Sequence, residues 1–456
     1  MLEFIEDILW VYFAYPAILA TGLYFTFSSR FVQFRSFGSI VRNFFSMFRK
    51  DIQEKSPQGE SQAGIHPLKA FFASIGGCVG IGNIVGVTTA VQLGGPGALF
   101  WIWVAALIGS LAKYAEVFLG MRYRVKTSQG YRGGPMYVLT AAFGGSRGEA
   151  RLGSWLVKAF CILMCIYGVE IFQFSVMTSS VAENYGIAKP IVALVFLALV
   201  IAAECGGLKR IGTICSTIIP LFIALYIGMG SYVLVQCASA IPSVIGDVFR
   251  YAFTSHAAVG AFTGGSLMLA MSQGIKRACY SLDVGVGYAS IIHSESTEEV
   301  PAKQAALTIF EVFLDTFIIC TMSIVLVLVT GTWTHNIDAI YLVQSALASY
   351  FPYMHFFIPL FLFLLGYSTI IAYFCAGMKT ALFLSPKRGR LFYYVYAVTA
   401  LIGFSFADTE QAASVMMIVL ALLLAMNLAA AWKLRHEVHF RLEDEATLPV
   451  PEYASG

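Results

Sequence analysis

The chain has 456 residues, of which 29 are basic and 26 acidic, giving a net charge of +3. Hydrophobic residues make up 58% of it and charged residues only 12%, and its mean hydropathy is +0.75, whereas charged residues form about a quarter of an ordinary soluble chain. This composition excludes a water-soluble globular protein. The basic residues form no stripe with interleaved aromatics, so nucleic-acid binding is not expected.

Apolar stretches recur along the chain, and each is long enough to cross a hydrocarbon core of roughly 30 Å as a helix. In lipid, backbone polar groups must be paired within their own segment, so these stretches predict helices. We number the predicted spans 1 to 11 in chain order: 8–28, 67–92, 97–121, 156–182, 188–204, 212–236, 258–280, 304–331, 356–383, 391–406 and 411–434. The sequence therefore predicts an all-α polytopic membrane protein with about eleven transmembrane helices.

Lysine and arginine are concentrated in every second loop, which is the pattern of cytoplasmic loops under the positive-inside rule. Lys276 and Arg277 are assigned here to the basic loop after span 7, and the intervening loops hold only Lys189 and Arg250. This distribution predicts an N terminus outside and a C terminus inside, in an inner (plasma) membrane of bacterial type.

The spans divide the chain into five predicted regions. Aromatic and basic residues between Phe31 and Phe48 are typical of a helix that lies in the membrane interface. The regions are an accessory helix (1–30), a cytoplasmic interfacial helix with a connector (31–66), a first repeat of spans 2–6 (67–237), a second repeat of spans 7–11 (238–435) and a cytoplasmic tail (436–456).

Span 2 is crowded with glycine around Asn83. A glycine in a helix interior costs roughly 0.5 to 1 kcal/mol relative to alanine, so this crowding indicates a helix broken near Gly80 to Gly82. The freed carbonyls of a broken helix bind cations and its freed N–H groups bind carboxylates. Alternatively, the glycines only allow close packing of helices. The glycines are Gly76, Gly77, Gly80, Gly82 and Gly86.

Span 7 carries a second interruption, at Gly260, Gly264, Gly265 and Ser266. It lies five spans after span 2, so the two spans would cross the membrane in opposite directions. Paired interruptions in two inverted halves point to a substrate site at the midplane of a transporter. The sequence therefore predicts a 5+5 inverted repeat, spans 2–6 and 7–11, with broken spans 2 and 7 and with span 1 as an accessory helix.

Six blocks of the sequence resemble the alanine or glycine:cation symporter family. The resemblance implies the leucine-transporter fold, no enzymatic activity, and sodium-coupled symport of a small neutral amino acid by alternating access, with sodium as the coupling ion and no other cofactor. The blocks are VGIGNIVGV (79–87), GGPGALFWIW (94–103), KYAEVFLGMRYR (113–124), GGPMYVL (133–139), GGLKRIG (206–212) and FLDTFIICT (313–321).

The resemblance also implies a set of binding residues. The substrate carboxylate would lie near the N–H groups of Ile81 and Gly82, and its amino group near the Cys78 carbonyl and the Asn83 side chain. Tyr373 would cap the pocket where the family usually has Trp. Sodium would bind the carbonyls of Gly76 and Val79 and the hydroxyls of Ser368 and Thr369. With the residues of the span 7 interruption added, the complete substrate set is Cys78, Gly80, Ile81, Gly82, Asn83, Gln173, Gly264, Gly265, Ser266 and Tyr373.

Two blocks depart from the family pattern, and both leave the substrate's identity and the cytoplasmic gate open. SLDVGVGY (Ser281 to Tyr288) replaces a SNEAG-like run, and TEQAASVMM (Thr409 to Met417) replaces a Pro-Asn ending.

Two further polar residues lie outside these blocks. Gln173 has an alternative interpretation as a residue that only forms an ordinary interhelical hydrogen bond. His293 is expected in a loop.

Buried charges add further alternatives. Lys113 and Glu116 share one face of span 3 and could form an ion pair near the cytoplasmic boundary or a gate. Glu311 and Asp315 share a face of span 8, where two carboxylates repel unless one is protonated or paired. Asp315 therefore has a structural or a gating role, and a proton-coupled permease on the same fold is the alternative function. A channel or a non-transporting scaffold is a further alternative, and the chain is expected to work as a monomer.

Overall fold

The computed structural model describes residues 2–53, 64–128, 130–144, 147–254, 267–335, 337–405 and 409–441. Within these ranges the secondary structure is almost entirely helical, as the sequence predicts. The one sheet that the described residues form was not predicted: a hairpin in which Val125–Thr127 pairs antiparallel with Gly130–Arg132.

Helices coincide with every predicted span of the first half. The helices that correspond to spans 1 to 6 are, in order, Leu2–Leu9, Trp10–Ala14 and Tyr15–Ser28; Pro67–Cys78, Ile81–Asn83 and Val85–Gly94; Ala98–Arg122; Arg147–Tyr167 and Ile171–Tyr185; Lys189–Glu204; and Gly207–Gln236. Shorter helices between spans 1 and 4 are Val32–Arg35, Phe37–Gln53 and Pro135–Phe143.

The second half follows the same plan. Ile241–Tyr251 precedes it, and spans 7 to 11 contain Leu267–Leu282 and Tyr288–His293; Pro301–Val312, Phe313–Cys320 and Thr321–Val329; Met354–Leu384; Gly389–Ser405; and Thr409–Lys433. Thr332–Thr334, Ala339–Tyr341 and Leu342–Ala348 connect spans 8 and 9, and Arg435–Glu437 follows span 11.

The number of helices that cross the membrane stays a prediction. Among the described residues, seven helices and one bent pair are long and apolar enough to do so. Lys189–Glu204 and Gly389–Ser405, in spans 5 and 10, have 16 and 17 residues, somewhat fewer than the roughly 20 that a perpendicular span needs. The boundaries of the two predicted repeats likewise remain predictions.

Span 2 is broken where its glycines are concentrated. Pro67–Cys78 ends with Val79 and Gly80 in extended conformation, and the turn Ile81–Asn83 and the helix Val85–Gly94 follow. The segment Ile81–Gly94 lies at an angle of 57° to the first helix. Span 2 is therefore not an intact helix, so the alternative explanation, in which the glycines only allow close helix packing, does not apply.

Span 7 is also interrupted, between the helices Leu267–Leu282 and Tyr288–His293. Asp283, Gly285 and Gly287 all have positive φ angles, of 52°, 76° and 97°, which end one helix and turn the chain into the next. The first of these helices ends at Leu282, two residues beyond the predicted end of span 7. His293, which was expected in a loop, is a buried helical residue. Gly260, Gly264, Gly265 and Ser266 lie outside the described residues.

The placement of Lys276 and Arg277 also differs from the prediction. Lys276 forms a buried ion pair with Glu6 of span 1, and Arg277 lines a cavity with Glu6 and Asp7. Both basic residues therefore lie at the end of the bundle where the N terminus begins, opposite to the end at which the positive-inside count placed them. Favourable pairing with acidic residues accounts for the exception, since an ion pair lowers the cost of a charge at membrane depth.

Candidate functional site

The two interruptions lie side by side in the middle of the bundle. The Tyr288 hydroxyl, directly after the break of span 7, donates to the carbonyl of Ala73 in span 2 at 2.7 Å. Lys113 of span 3 donates to the carbonyl of Leu282, the last residue before that break, at 3.0 Å. Because helix ends leave backbone groups unpaired, this arrangement concentrates free peptide dipoles in one buried place.

Asn83 holds the unwound segment of span 2 in shape. Its Oδ1 accepts from the N–H of Gly80 at 2.8 Å, while the N–H of Asn83 donates to the carbonyl of Gly80 at 3.2 Å. Its Nδ2 donates to Oδ1 of Asp315 at 2.6 Å. The other oxygen of Asp315 accepts from the Ser281 hydroxyl at 3.0 Å. The Asn83 side chain thus joins the breaks of spans 2 and 7 to span 8.

Gln173 of span 4 lies against the same segment and forms a hydrogen bond between spans, so its predicted role in substrate binding stays a prediction. Its Oε1 accepts from the N–H of Ile81 at 3.1 Å. A Cβ placed on Gly80 would lie 2.6 Å from both this oxygen and the Thr369 hydroxyl, closer than any real carbon approaches. Glycine at position 80 therefore lets spans 4 and 9 bring polar oxygens up to the backbone.

Part of the predicted sodium set is assembled by direct contact. The hydroxyl of Thr369 donates to the carbonyl of Gly76 at 3.1 Å, although the two residues are 293 positions apart. Ser368 is fully buried next to it, and its hydroxyl donates to the carbonyl of Leu365 at 2.9 Å. Val79 is buried in the extended part of the break.

Lys113 has a different partner from the one predicted. Its Nζ lies 3.3 Å from Oε2 of Glu311 and 3.0 Å from Sγ of Cys78, whereas Glu116 accepts from the backbone N–H of Ser290 at 3.2 Å. The predicted Lys113–Glu116 ion pair is replaced by a buried Lys113–Glu311 pair. The reason is that span 8 brings Glu311 to the inner side of Lys113, while the break of span 7 offers Glu116 free N–H groups.

Glu311 and Asp315 have separate partners: Glu311 forms an ion pair with Lys113, whereas Asp315 accepts hydrogen bonds from Asn83 and Ser281. Glu311 also accepts from Ser74 at 3.0 Å and lies 2.9 Å from Nε2 of His293. Phe313–Cys320 is π-helical, and such a segment changes the angular offset of side chains along a helix. Asp315 consequently faces the break of span 2 while Glu311 faces Lys113.

Tyr373 stacks on Tyr288 with ring centroids 4.2 Å apart and meets Tyr167 edge-on at 5.3 Å. All three rings are fully buried. Among the described residues, the hydroxyls of Tyr373 and Tyr167 have no hydrogen-bond partner. Since buried polar groups are normally paired, these hydroxyls are candidates to contact a bound solute. The predicted role of Tyr373 as a cap of the pocket stays a prediction.

Two buried acidic residues lie next to this aromatic cluster, and neither is among the site residues predicted from the sequence. Glu170, in a left-handed conformation at the bend of span 4, accepts from Tyr280 at 3.0 Å. Asp283 lies in the break of span 7, near enough to Lys113 and Glu170 to interact with both electrostatically. Glu170 Oε1 and Asp283 Oδ2 have no partner in the described part of the chain. For Asp283 the sequence carries a signal that could have indicated a site role, namely an acidic residue close to glycines.

A cavity of about 720 Å³ opens at the N-terminal end of the bundle. Its inner part is lined by Val85, two residues beyond Asn83, and by Phe172, next to Gln173. Farther out it is lined by both acidic and basic residues, namely Glu6, Asp7, Lys276, Arg277, Asp338 and Glu410. We call this cavity the outer vestibule. It brings solvent close to one side of the unwound segment.

Comparison with solved structures identifies the fold. The structure of MhsT in complex with L-phenylalanine matches with a TM-score of 0.55 at 14% identity, covering 81% of this chain and 89% of that one. The nucleobase-cation-symport-1 family transporter Mhp1 matches with a TM-score of 0.52 at 13% identity, over 86% of this chain and 97% of that one. The chain therefore has the leucine-transporter fold.

Sequence comparison identifies the family. The chain is 30% identical to the probable sodium/glutamine symporter GlnT of Bacillus subtilis over 96% of this chain and 89% of that protein. It is 28% identical to the sodium/alanine symporter AgcS of Methanococcus maripaludis, over 88% and 86% of the two chains. The model of the sodium:alanine symporter family matches residues 1–445. The chain belongs to the sodium:alanine symporter family, and is thus a multi-pass membrane transporter of the symporter type and not an enzyme.

Proposed function

We propose that this protein is a sodium-coupled symporter for a small neutral amino acid and that it works by alternating access. The observation that carries the proposal is the unwound segment Val79 to Asn83, which exposes peptide groups beside the side chains of Gln173 and Thr369. Two relatives that are named for alanine and glutamine support a neutral amino acid as the substrate.

Sodium would occupy the oxygen-rich corner between spans 2 and 9. Sodium is a hard cation, and uncharged carbonyl and hydroxyl oxygens replace its hydration shell well. The contact between Thr369 and the Gly76 carbonyl supports this placement. The ion would displace the Thr369 hydrogen from that carbonyl and bind both oxygens, together with Ser368 and the Val79 carbonyl.

The amino acid would bind on the other side of the break. Its carboxylate would accept from the N–H groups of Ile81 and Gly82, taking the place that Gln173 Oε1 holds at Ile81. Its ammonium would lie near the Cys78 carbonyl and the unpaired oxygens of Glu170 and Asp283, because buried carboxylates are favourable neighbours for a cation. Asn83, whose amide is already fully engaged, would position the turn.

Alternating access requires that the site open to one side at a time. The outer vestibule reaches the unwound segment from the N-terminal end, while the buried contacts of Lys113 and His293 with Glu311 lie on its other side. Rearrangement of this second layer would open the route inward. Each sodium ion that moves down a 100 mV potential supplies about 2.3 kcal/mol, enough to concentrate a neutral solute roughly fiftyfold.

A proton-coupled permease is the second candidate, because Lys113, Glu311 and His293 form a buried titratable cluster near the site. Uptake of radiolabelled alanine, glycine, serine and glutamine into proteoliposomes, driven by a sodium gradient or by a pH gradient, separates the two. We expect uptake with sodium at equal pH on both sides. Uptake that needs only the pH gradient would show that the coupling ion is the proton and not sodium. A flux that does not saturate with amino-acid concentration would indicate a channel.

A further inference from the structure

Two cavities adjoin each other where span 1 turns into the interfacial helices, and neither contacts the amino-acid site. The first, of about 750 Å³, is lined by Arg30, Arg35 and Arg441, together with His439. No acidic residue occurs among the described residues that line it. We call it the arginine pocket. Such a concentration of positive charge favours an anionic ligand.

The arginines of this pocket that follow span 1 are available to a ligand. Within the described ranges, Arg30 and Arg35 form no ion pair, and both side chains are exposed. Arg30 and Phe31 have positive φ angles of 55° and 60°, and the N–H of Phe31 donates to the Thr26 carbonyl at 2.9 Å. This tight turn fixes the two arginines on the rim of the pocket.

The second cavity is an apolar groove of about 310 Å³, bounded by Phe34, Phe37, Leu107, Phe313 and Phe317. We call it the acyl groove. Gln33, which also lines it, is 6% exposed, and its Oε1 has no hydrogen-bond partner among the described residues. A polar atom left unpaired at the edge of an apolar groove points to a ligand that has both polar and apolar parts.

The two cavities lie on the same pair of helices at different depths. On span 8, Ala302 lines the arginine pocket and Ile309 lines the acyl groove. On span 3, Phe118 lines the arginine pocket and Ser110 lines the acyl groove. A helix rises 1.5 Å per residue, so the groove lies about 10 to 12 Å deeper along the bundle. Phe34 and Arg35, adjacent in sequence, join the two cavities.

Exposed aromatic rings surround this position. Phe27, Phe31 and Phe34 are 64%, 44% and 60% exposed, and aromatic side chains at the end of a transmembrane helix are typical of the lipid interface. A charged pocket at the level of the headgroups above an apolar groove at the level of the acyl chains has the shape and polarity of one phospholipid molecule.

We propose that the arginine pocket and the acyl groove together form a binding site for an anionic phospholipid. Its phosphate contacts Arg30 and Arg35, and one acyl chain lies in the groove beside Gln33. The acyl chain would lie against Phe313 and Phe317, on the π-helical segment that carries Asp315. The lipid would therefore brace the segment that Asn83 contacts.

Native mass spectrometry of the purified full-length protein tests this proposal without sodium or substrate, so its result does not depend on the proposed transport function. The protein is incubated with phosphatidylglycerol, phosphatidylcholine or the soluble sn-glycerol 3-phosphate. We expect retention of one phosphatidylglycerol at collision energies that remove phosphatidylcholine. Retention of glycerol phosphate alone would mean a free phosphate site, and equal retention of both lipids would overturn the charge recognition.

Variants separate the two halves of the site. Arg30→Gln with Arg35→Gln should lower phosphatidylglycerol retention at least fivefold, whereas the matched control Arg42→Gln with Arg49→Gln, two exposed arginines of the interfacial helix Phe37–Gln53, should not. Leu107→Trp should fill the groove and lower retention at unchanged charge. Should that variant not fold, Phe34→Ala removes one wall of the groove from the exposed side. Unchanged retention in both the double arginine variant and a folded groove variant would refute the site.

Discussion

The side-chain amide of Asn83 and the carboxylate of Asp315 are joined by a hydrogen bond of 2.6 Å, and both residues are buried. They are 232 positions apart in the sequence. Because Asn83 also accepts from the Gly80 N–H, the conformation of the unwound segment depends on the π-helical segment of span 8. This contact connects a local backbone feature to the packing of the whole bundle.

Replacing Asn83 by Ala should reduce sodium-driven uptake at least tenfold without reducing expression. The substitution leaves the Gly80 N–H and the Oδ1 atom of Asp315 without the Asn83 side chain as a partner, and a lost hydrogen bond to a charged group costs about 1.5 to 3 kcal/mol. Initial uptake rates in proteoliposomes give the measurement. Thr88→Val is the matched control, since the Thr88 hydroxyl bonds only within its own helix; equal loss in both variants would contradict the role of Asn83.

Removing the hydroxyls of span 9 should weaken sodium binding. Thr369→Val with Ser368→Ala should raise the sodium concentration for half-maximal uptake about tenfold while changing the maximal rate less, because two of the proposed ligands are lost. A sodium titration of uptake measures this. Thr380→Val, on the same helix, removes a hydroxyl that donates to the Gly377 carbonyl and should leave the sodium requirement unchanged. An unshifted requirement in the double variant would refute the sodium assignment.

A pair of glycine substitutions distinguishes the site from simple helix packing. Gly80→Ala should abolish uptake, because its Cβ would lie 2.6 Å from Gln173 Oε1 and Thr369 Oγ1. Gly86→Ala, in the same span, meets its nearest atom, Cδ of Arg277, only at 3.9 Å and should retain uptake. The measurement is uptake normalised to the amount of folded protein. Retained uptake in Gly80→Ala would mean that transport does not require Gln173 Oε1 and Thr369 Oγ1 to lie close to the backbone at position 80.

The buried pair of Lys113 and Glu311 should matter for stability. Lys113→Met leaves Glu311 in an apolar setting with only His293 and Ser74, and breaking a buried pair on one side costs about 3 to 5 kcal/mol. The melting temperature of the detergent-purified protein should fall clearly, and Glu311→Gln added to Lys113→Met should restore part of it.

Arg122→Gln provides the control for that experiment. Arg122 pairs with Glu437 at 2.7 Å near the surface, where such pairs contribute about 1 kcal/mol or less, so only a small shift is expected. A fall in melting temperature for Arg122→Gln as large as for Lys113→Met would contradict the special position of the buried pair.

The sequence predicted the features that depend on local composition. The apolar stretches located the spans to within a few residues for most helices, and the glycine cluster around Asn83 predicted the break in span 2. Glycine acts locally, because it lowers the helical preference of its own segment. The resemblance to the symporter family supplied the pairing of spans 2 and 9, which no local pattern contains.

Features that depend on tertiary partners were predicted less well. The charge pattern predicts a loop position for Lys276 and Arg277, because it does not reveal that Glu6 of span 1 pairs with Lys276 inside the bundle. The run from Ser281 to Tyr288 departs from the family pattern, which leaves the cytoplasmic gate open, whereas in the structure its residues Asp283, Gly285 and Gly287 form the break of span 7. Likewise, Glu311 could be recognised as the partner of Lys113 only from their distance in space.

Equilibrium binding of radiolabelled alanine and glutamine to the purified protein, in sodium chloride and in choline chloride, tests the central claim most directly. If the unwound segment holds an ion and a zwitterion together, sodium should raise the affinity for one of these amino acids at least tenfold, and the amino acid should raise the affinity for sodium by the same factor. Thr369→Val should reduce both effects equally. Identical affinities in the two salts would contradict the account.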